Sequence, residues 1–393
     1  MKKALVYYLY GTKNAGDMAI CTGTIEVLKK NGFDITMVSR FSESEEEYYV
    51  SKAYINSYYP DVNVIPGPFS FERDFSAIRK ITSYGKSFAK VCGLTTDSRT
   101  AAMIDEADMV FFNGGNLLRG ESIKDYLRLM ALFYPVQAAY KAGKPVYCLP
   151  QSTAGISRIG KKLLNRYLKC FSKIYIRENR SLSALKNMFP DYRFEYCIDM
   201  AFFNEDTEMA LRSAKEKYGE FSAKRNVALI LRNSGIGDIG RIDKAVEGKM
   251  FNALRDYVDN NTEKEYWIVV QTLKDRELSE RFLRSLSVDV HAHLIEDHDP
   301  LMLREVYKDM DAVVTMRLHA GILALSSFVP VAGIFCSDWG LKNPGIMEAF
   351  GMPYIMADLE EEKIEDLVKR IPEDAASRIE ERIESFRDVL SFN

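Results

Sequence analysis

The sequence predicts an α/β protein made of two doubly wound, Rossmann-like parallel-sheet domains that face one another across a cleft. Short runs rich in Val, Ile, Tyr and Phe alternate with longer helical stretches from end to end, which is the pattern of βα units. The chain has 393 residues, enough for two cores at ~150 residues per domain. Several of the strand-like runs end in glycine or polar residues, where open α/β sheets receive ligands.

Strands are expected at Ala4 to Tyr10, Asp34 to Val38, Met109 to Asn113, Pro145 to Leu149 and Lys173 to Arg177. Helices are expected between them at Met18 to Asn31, Ser42 to Tyr58, Ser122 to Ala142, Ile159 to Phe171 and Ser181 to Met188. Pro66 to Arg99 reads as helix plus loop. From Asn204 to Arg225 the chain turns highly charged and loses its apolar runs, and strand patterning restarts at Asn226 to Arg232. Further strands follow near Trp267 to Gln271, Ala312 to Thr315 and Pro330 to Phe335, with helices near Lys249 to Asn260, Asp275 to Ser285 and Leu301 to Asp309. The expected domains are therefore 1–203, a charged linker 204–225, a second α/β domain 226–357 and a helical C-terminal segment 358–393.

Composition excludes some functions. Apolar residues at 47% and charged ones at 28% match an ordinary soluble globular chain. A net charge of −3 argues against a dedicated nucleic-acid binder. Ala4 to Tyr10 is too short for a signal-peptide core, and no run approaches the ~20 apolar residues that span a bilayer. The expectation is a cytoplasmic protein that touches a membrane peripherally at most. The six cysteines form no C-x-x-C pair, so buried free thiols are expected in place of a zinc site or a disulfide framework.

Chemistry-bearing residues concentrate at strand ends. Tyr10 to Asp17 is a glycine-bearing loop entering a helix, where free N–H groups suit an anion or a sugar hydroxyl, although Asp17 in the role of a helix N-cap explains it equally. Asn113-Gly114-Gly115 and Pro150-Gln151-Ser152 close two more strands, giving the first domain a ligand-facing rim. In the second domain Arg232 ends one strand, and Arg317-Leu318-His319 ends another. Two strand-end arginines suit a ligand with two anionic groups, since guanidinium binds carboxylate and phosphate bidentately. His319, beside Arg317, is suited to donating a proton near neutral pH. His291, His293 and His298 lie in a polar connection, and their H-x-H spacing lacks the cysteine or helix that would mark a metal site.

Together these pieces resemble the polysaccharide pyruvyl transferase family, particularly bacterial exopolysaccharide members. The resemblance rests on Asn14-Ala-Gly-Asp17, Asn113-Gly-Gly115, Leu149-Pro-Gln-Ser152, Arg177-Glu178 with Ser181, Asp199-Met-Ala-Phe202, Arg232, Arg317-Leu-His-Ala320, Pro330 and Lys342. Met18 follows the Gly-Asp pair where family members often carry an acid, and Asn-Gly-Gly replaces a glycine triplet.

The resemblance implies a GT-B-like fold, phosphoenolpyruvate as donor held mainly by the C-terminal domain, and a ketal product. It also implies that Arg232, Arg317, Leu318 and Lys342 bind the donor and that His319 is the general acid. Asp17 would activate a sugar or glycan acceptor, lipid-linked or free, with Asn14, Gly16, Asn113, Gly114, Gly115, Gln151 and Ser152 around it. No metal or redox cofactor is required by this chemistry. Two other readings stand beside it: a GT-B-like glycosyltransferase using a nucleotide sugar, and a non-catalytic binder of an anionic glycan.

Overall fold

The computed structural model describes residues 1–69, 98–219, 221, 225–233 and 243–392, and the chain divides by its internal contacts into two units. The first comprises Met1–Thr12, Ile20–Met200 and Leu390–Asn393, and the second Lys13–Ala19 and Ala201–Val389. Most of the Pro66 to Arg99 stretch lies outside the described residues.

In the first unit the strands are β1 (Lys2–Leu9), β2 (Phe33–Ser39), β3 (Asn63–Ile65), β4 (Met109–Phe112), β5 (Gly115–Gly120), β6 (Val146–Ile156), β7 (Lys173–Ile176) and β8 (Phe194–Tyr196). They form a parallel sheet in the order β3-β2-β1-β4-β6-β7-β8, with β5 beside β6. β1 is buried continuously from Ala4 to Leu9, as a strand covered on both faces must be, and its unbroken apolar run follows from that position. The second unit holds β9 (Asn226–Ile230), β10 (Glu265–Val270), β11 (His291–Glu296), β12 (Ala312–Thr315), β13 (Val331–Phe335) and β14 (Tyr354–Met356). They are parallel in the order β11-β10-β9-β12-β13-β14. Both units are therefore the doubly wound α/β sheets that the sequence predicts. In each, strand order reverses direction once, between β1 and β4 and between β9 and β12, and such reversals are where these sheets bind ligands.

Several boundaries differ from the sequence reading for identifiable reasons. β6 runs on through Ile156, so Pro150 to Thr153 lie inside a strand and not in a loop after it. The neighbouring β5 supplies backbone partners along that extension, pairing Gly115 with Gln151 and Leu118 with Thr153. The charged stretch read as a linker contains the helix Glu208–Tyr218, capped by the Thr207 hydroxyl and packed on helix Pro300–Lys308. Its buried residues are Ala210 and Ala214, too small to register as an apolar run. His291 and His293, expected in a connection, belong to edge strand β11, where His293 sits 2.8 Å from Glu265 and stacks on Trp267. The C-terminal segment forms helices Ile364–Lys369 and Ala375–Glu384. Its last residues return to the first unit, where Phe392 packs edge-on against Phe33, Phe111 and Tyr147.

At the end of β7 the Arg177 guanidinium pairs with Asp199, both side chains 1% exposed, and its Nε donates to Ser152 Oγ at 2.7 Å. Removing one member of such a pair leaves an uncompensated buried charge. Asp199→Ala should therefore destabilise the first unit by about 3–5 kcal/mol, read from the denaturant midpoint, whereas an exposed pair such as Arg212–Glu208 should yield under ~1 kcal/mol to the same treatment.

Candidate functional site

The strand-order reversal of the second unit brings the ends of β9 and β12 side by side, with Met316 N–H donating to Ile230 O at 2.9 Å. Chain continuity then sets Arg232 past one strand end and Arg317 past the other. Arg317 is fixed at its backbone by Thr315, whose hydroxyl accepts from Arg317 N–H and donates to Arg317 C=O, each at 2.9 Å. Its guanidinium is fixed by Asp275: Nε to Oδ2 at 2.7 Å and Nη2 to Oδ1 at 2.6 Å. Asp275 Oδ1 also accepts from Asn233 N–H at 2.9 Å, so one buried carboxylate ties the β9 exit to the β12 exit. Asp275 stands at the N-cap position of helix Arg276–Ser285 but makes no capping hydrogen bond, because its oxygens are committed to Arg317 and Asn233. An aspartate that forgoes its usual local role at a helix start is serving a tertiary one.

Arg232 is in a different position. Its guanidinium lies 4.1 Å from the centre of the Trp339 ring, and Trp339 is itself buried in the turn after β13. Among the described residues Arg232 has no carboxylate partner. Burial first, and then repulsion from Arg317, push its pKa down to about 10. A largely buried cation stacked on an indole, with a second arginine beside it, is an unneutralised positive site. Its chemistry matches a small anion carrying more than one negative group.

His319 is the second residue of helix Leu318–Ser326. A β-carbon at Gly16 would overlap the Cβ, Cγ and Nδ1 atoms of His319, so the glycine is what allows the imidazole to lie against the start of helix Ala15–Lys30. Beside the anion-cradling role expected from the sequence, Gly16 thus has a steric one. Asn14, not Asp17, caps this helix: its Oδ1 accepts from Gly16 N–H at 3.1 Å and its carbonyl from Met18 N–H at 3.2 Å. Ala15 N–H points to Gln271 O, at the end of β10, at 3.5 Å. Asp17 sits in the first turn, partly exposed. Lys342 opens helix Lys342–Phe350 and is partly exposed. The Leu318 side chain is buried in the core and can offer a ligand only its backbone. Sequence reasoning missed Asp275 and Trp339, the groups that hold Arg317 and Arg232.

In the first unit the candidate side chains Asn113, Gln151 and Ser152 are buried. Asn113 is fully buried: its Oδ1 accepts from Thr24 Oγ1 at 2.8 Å and Gly114 N–H at 2.9 Å, and its Nδ2 donates to Tyr8 O at 2.9 Å. Gln151 is buried likewise, donating to Asn113 O at 2.6 Å and accepting from Leu117 N–H at 3.1 Å. Ser152 accepts from Arg177, and Gly114 and Gly115 are held under the Tyr10 phenol, which donates to Gly114 O at 2.8 Å. These side chains are committed to hydrogen bonds inside the unit.

The sequence model of the family described as polysaccharide pyruvyl transferase matches residues 14–335, a span that takes in Asn14, Gly16, Arg232, Arg317 and His319. The chain belongs to the polysaccharide pyruvyl transferase family. No curated protein is significantly similar to it in sequence. Among solved structures it is similar to a glycosyltransferase from Rickettsia africae, at 13% identity and TM-score 0.56 over 98% of this chain and 93% of the other. It is also similar to UDP-GlcNAc 2-epimerase from Neisseria meningitidis bound to UDP-GlcNAc, at 14% identity and TM-score 0.55 over 98% and 100%. At these identities the likeness is one of fold, and it places this pyruvyl transferase family member among GT-B architectures.

Two measurements check this geometry. Arg232→Leu removes a buried cation that lacks a described counter-charge, so the ligand-free protein should become more stable by about 1–3 kcal/mol while its affinity for multivalent anions falls; a lowered melting temperature would refute the reading. Gly16→Ala should displace the His319 ring, visible as a changed imidazole environment by NMR, with the global fold retained.

Proposed function

We propose that the protein transfers the pyruvyl unit of phosphoenolpyruvate to a sugar diol, releasing phosphate and forming a pyruvate ketal in exopolysaccharide or cell-surface glycan synthesis. The observation that carries this reading is the partner-poor Arg232 guanidinium beside the anchored Arg317 and His319. One carboxylate and one phosphate on a three-carbon donor match two guanidinium groups at adjacent strand ends. Membership in the family supports the reaction class.

The chemistry follows from the groups. Phosphoenolpyruvate is unreactive at its central carbon until the methylene carbon is protonated. The His319 imidazolium supplies that proton, and the central carbon becomes an electrophile. A sugar hydroxyl adds to it and loses its proton to a nearby base, for which Asp17 is the candidate. The second hydroxyl then closes the ring as the C–O bond to phosphate breaks, and its proton leaves with phosphate. Arg232 and Arg317 hold the anionic groups and stabilise the departing charge. Asp275 keeps Arg317 in one orientation, so its contribution is positional.

A screen of phosphate release from phosphoenolpyruvate against hydrolysis of nucleotide sugars separates this reaction from glycosyl transfer; turnover of a nucleotide sugar alone would overturn it. His319→Gln should retain donor binding yet lose on the order of 10² to 10⁴ in turnover. The wild-type rate should fall toward alkaline pH, because only imidazolium donates. In heavy water, deuterium should enter the product methyl group, and a methyl group free of solvent deuterium would exclude protonation by a solvent-exchanging acid.

A further inference from the structure

The charge of this protein is unevenly distributed. Between Asp125 and Glu178 there is no acidic residue at all, although acids outnumber bases in the whole chain, 56 to 53. Within that stretch, helix Arg158–Leu168 turns Gly160, Leu164, Tyr167 and Leu168 into the first unit. At ~100° per residue the outward arc carries Arg158, Lys161, Lys162 and Arg166, with Lys169 just beyond, all exposed. Among the described residues none of these five forms an ion pair. Lys169, Arg166 and Lys141 all draw down the thiol of Cys170, against the burial that raises it, which brings their charges to one end of the helix.

A solvated basic face would be expected to carry polar neighbours, and this one carries apolar ones. Ile159 is 58% exposed on the first turn of the same helix. Beside it stands the first turn of helix Ile123–Lys141, where Ile123 is 76% and Leu127 56% exposed, one turn apart on a single stripe. The two helix starts are fixed to each other: the Tyr126 and Ser157 hydroxyls lie 2.6 Å apart, and Ser157 donates from both its N–H (2.9 Å) and its hydroxyl (3.1 Å) to Gly120 O. Gly160 packs so closely on Gly120 that a β-carbon there would overlap the Gly120 carbonyl. Ile123, Leu127 and Ile159 are therefore held on one rigid corner next to the cationic arc, not on a loose loop.

We propose that this corner of the first unit docks on the surface of an anionic lipid bilayer, with the cations among the headgroups and the three aliphatic side chains at the acyl boundary. The two helix starts also hold Asp125, already paired with Arg119 and Arg128, and the exposed Glu121, so exposed cations beside exposed aliphatics still predominate, as in interfacial helices. Nucleic acid would match the charge but gives no use for two isoleucines and a leucine, where aromatic stacking or guanidinium contacts to bases would be expected. Among the described residues no helix is long and apolar enough to cross a membrane, so attachment through this face would be peripheral and reversible. The inference is independent of the donor chemistry, because none of these residues belongs to the second unit's site.

The test is co-sedimentation of the full chain with vesicles of phosphatidylcholine alone or with phosphatidylglycerol added. Binding should appear with the anionic lipid and weaken as salt is raised. Lys162→Glu with Arg166→Glu should lower partitioning about tenfold or more. Ile159→Ser with Leu127→Ser should lower it at constant charge, and circular dichroism melts report whether each variant is folded. Binding of equal strength to neutral vesicles, or none to anionic ones, would overturn the proposal. So would aliphatic variants that bind vesicles like wild type while the charge variants alone lose affinity for double-stranded DNA, since that pattern belongs to a nucleic-acid face. Phosphoenolpyruvate binding measured on the same variants should not change, which keeps a failure here separate from a failure of the proposed reaction.

Discussion

The site depends on one buried carboxylate. Two arginines leave adjacent strand ends of the same sheet, and like charges at that separation repel. Asp275 relieves half of the conflict by taking Arg317 through two hydrogen bonds and, through Asn233 N–H, by holding the exit of β9 against it. The other half is left in place. Arg232 rests on Trp339, which accommodates a flat cation without neutralising it. Two guanidinium groups and one carboxylate thus leave this cluster with an excess of about one positive charge. A second aspartate here would remove that excess. Proteins accept this kind of local cost where function needs an unsatisfied group.

Much of the fold was legible in the sequence because parallel strands covered on both faces must be written as apolar runs. β12 falls on Ala312–Thr315 as read, and β1, β2, β4 and β9 shift only at their ends. The misreadings have physical causes. Pro150-Gln151-Ser152 looked like a loop, since polar residues rarely continue a central strand, but β5 and Arg177 give them partners inside the sheet. Helix Leu318–Ser326 was hidden because it is apolar on nearly every face and so shows no helical periodicity. The helix Glu208–Tyr218 was hidden for the opposite reason, as it is anchored by alanines among charges.

Of the candidate site, the sequence shows the charges and hides the groups that support them. Arg232, Arg317 and His319 could be picked out because their residue types imply chemistry at strand ends, and the fold does bring those ends together. Asp275 could not, since Thr-Leu-Lys-Asp before a helical run reads as an ordinary helix start; only its missing cap bond betrays it. Trp339 lies more than a hundred residues from Arg232 in sequence, and no local pattern links them. Gly16 was noticed as part of a glycine-bearing loop, yet its importance lies in the hydrogen atom it presents to an imidazole, a fact of packing that spacing does not encode.

The two sheets share a topology, and their strand-order reversals have met opposite fates. In the second unit the strand ends carry groups that cannot all be satisfied from within. In the first, the Gln151 amide bonds the Asn113 carbonyl and the Leu117 N–H while the Asn113 amide bonds the Tyr8 carbonyl and the Gly114 N–H, so both buried side chains are committed to backbone around them. Topology alone therefore offers a place for a ligand, and side-chain bookkeeping decides whether the place is vacant. Anyone wishing to build a second binding pocket into this scaffold would have to give those backbone groups new partners before replacing Asn113 or Gln151 with smaller apolar groups. Removing the Asn113 amide would cost the Tyr8 carbonyl and the Gly114 N–H their partner, and removing the Gln151 amide would cost the Asn113 carbonyl and the Leu117 N–H theirs, two separate faults in a dry interior.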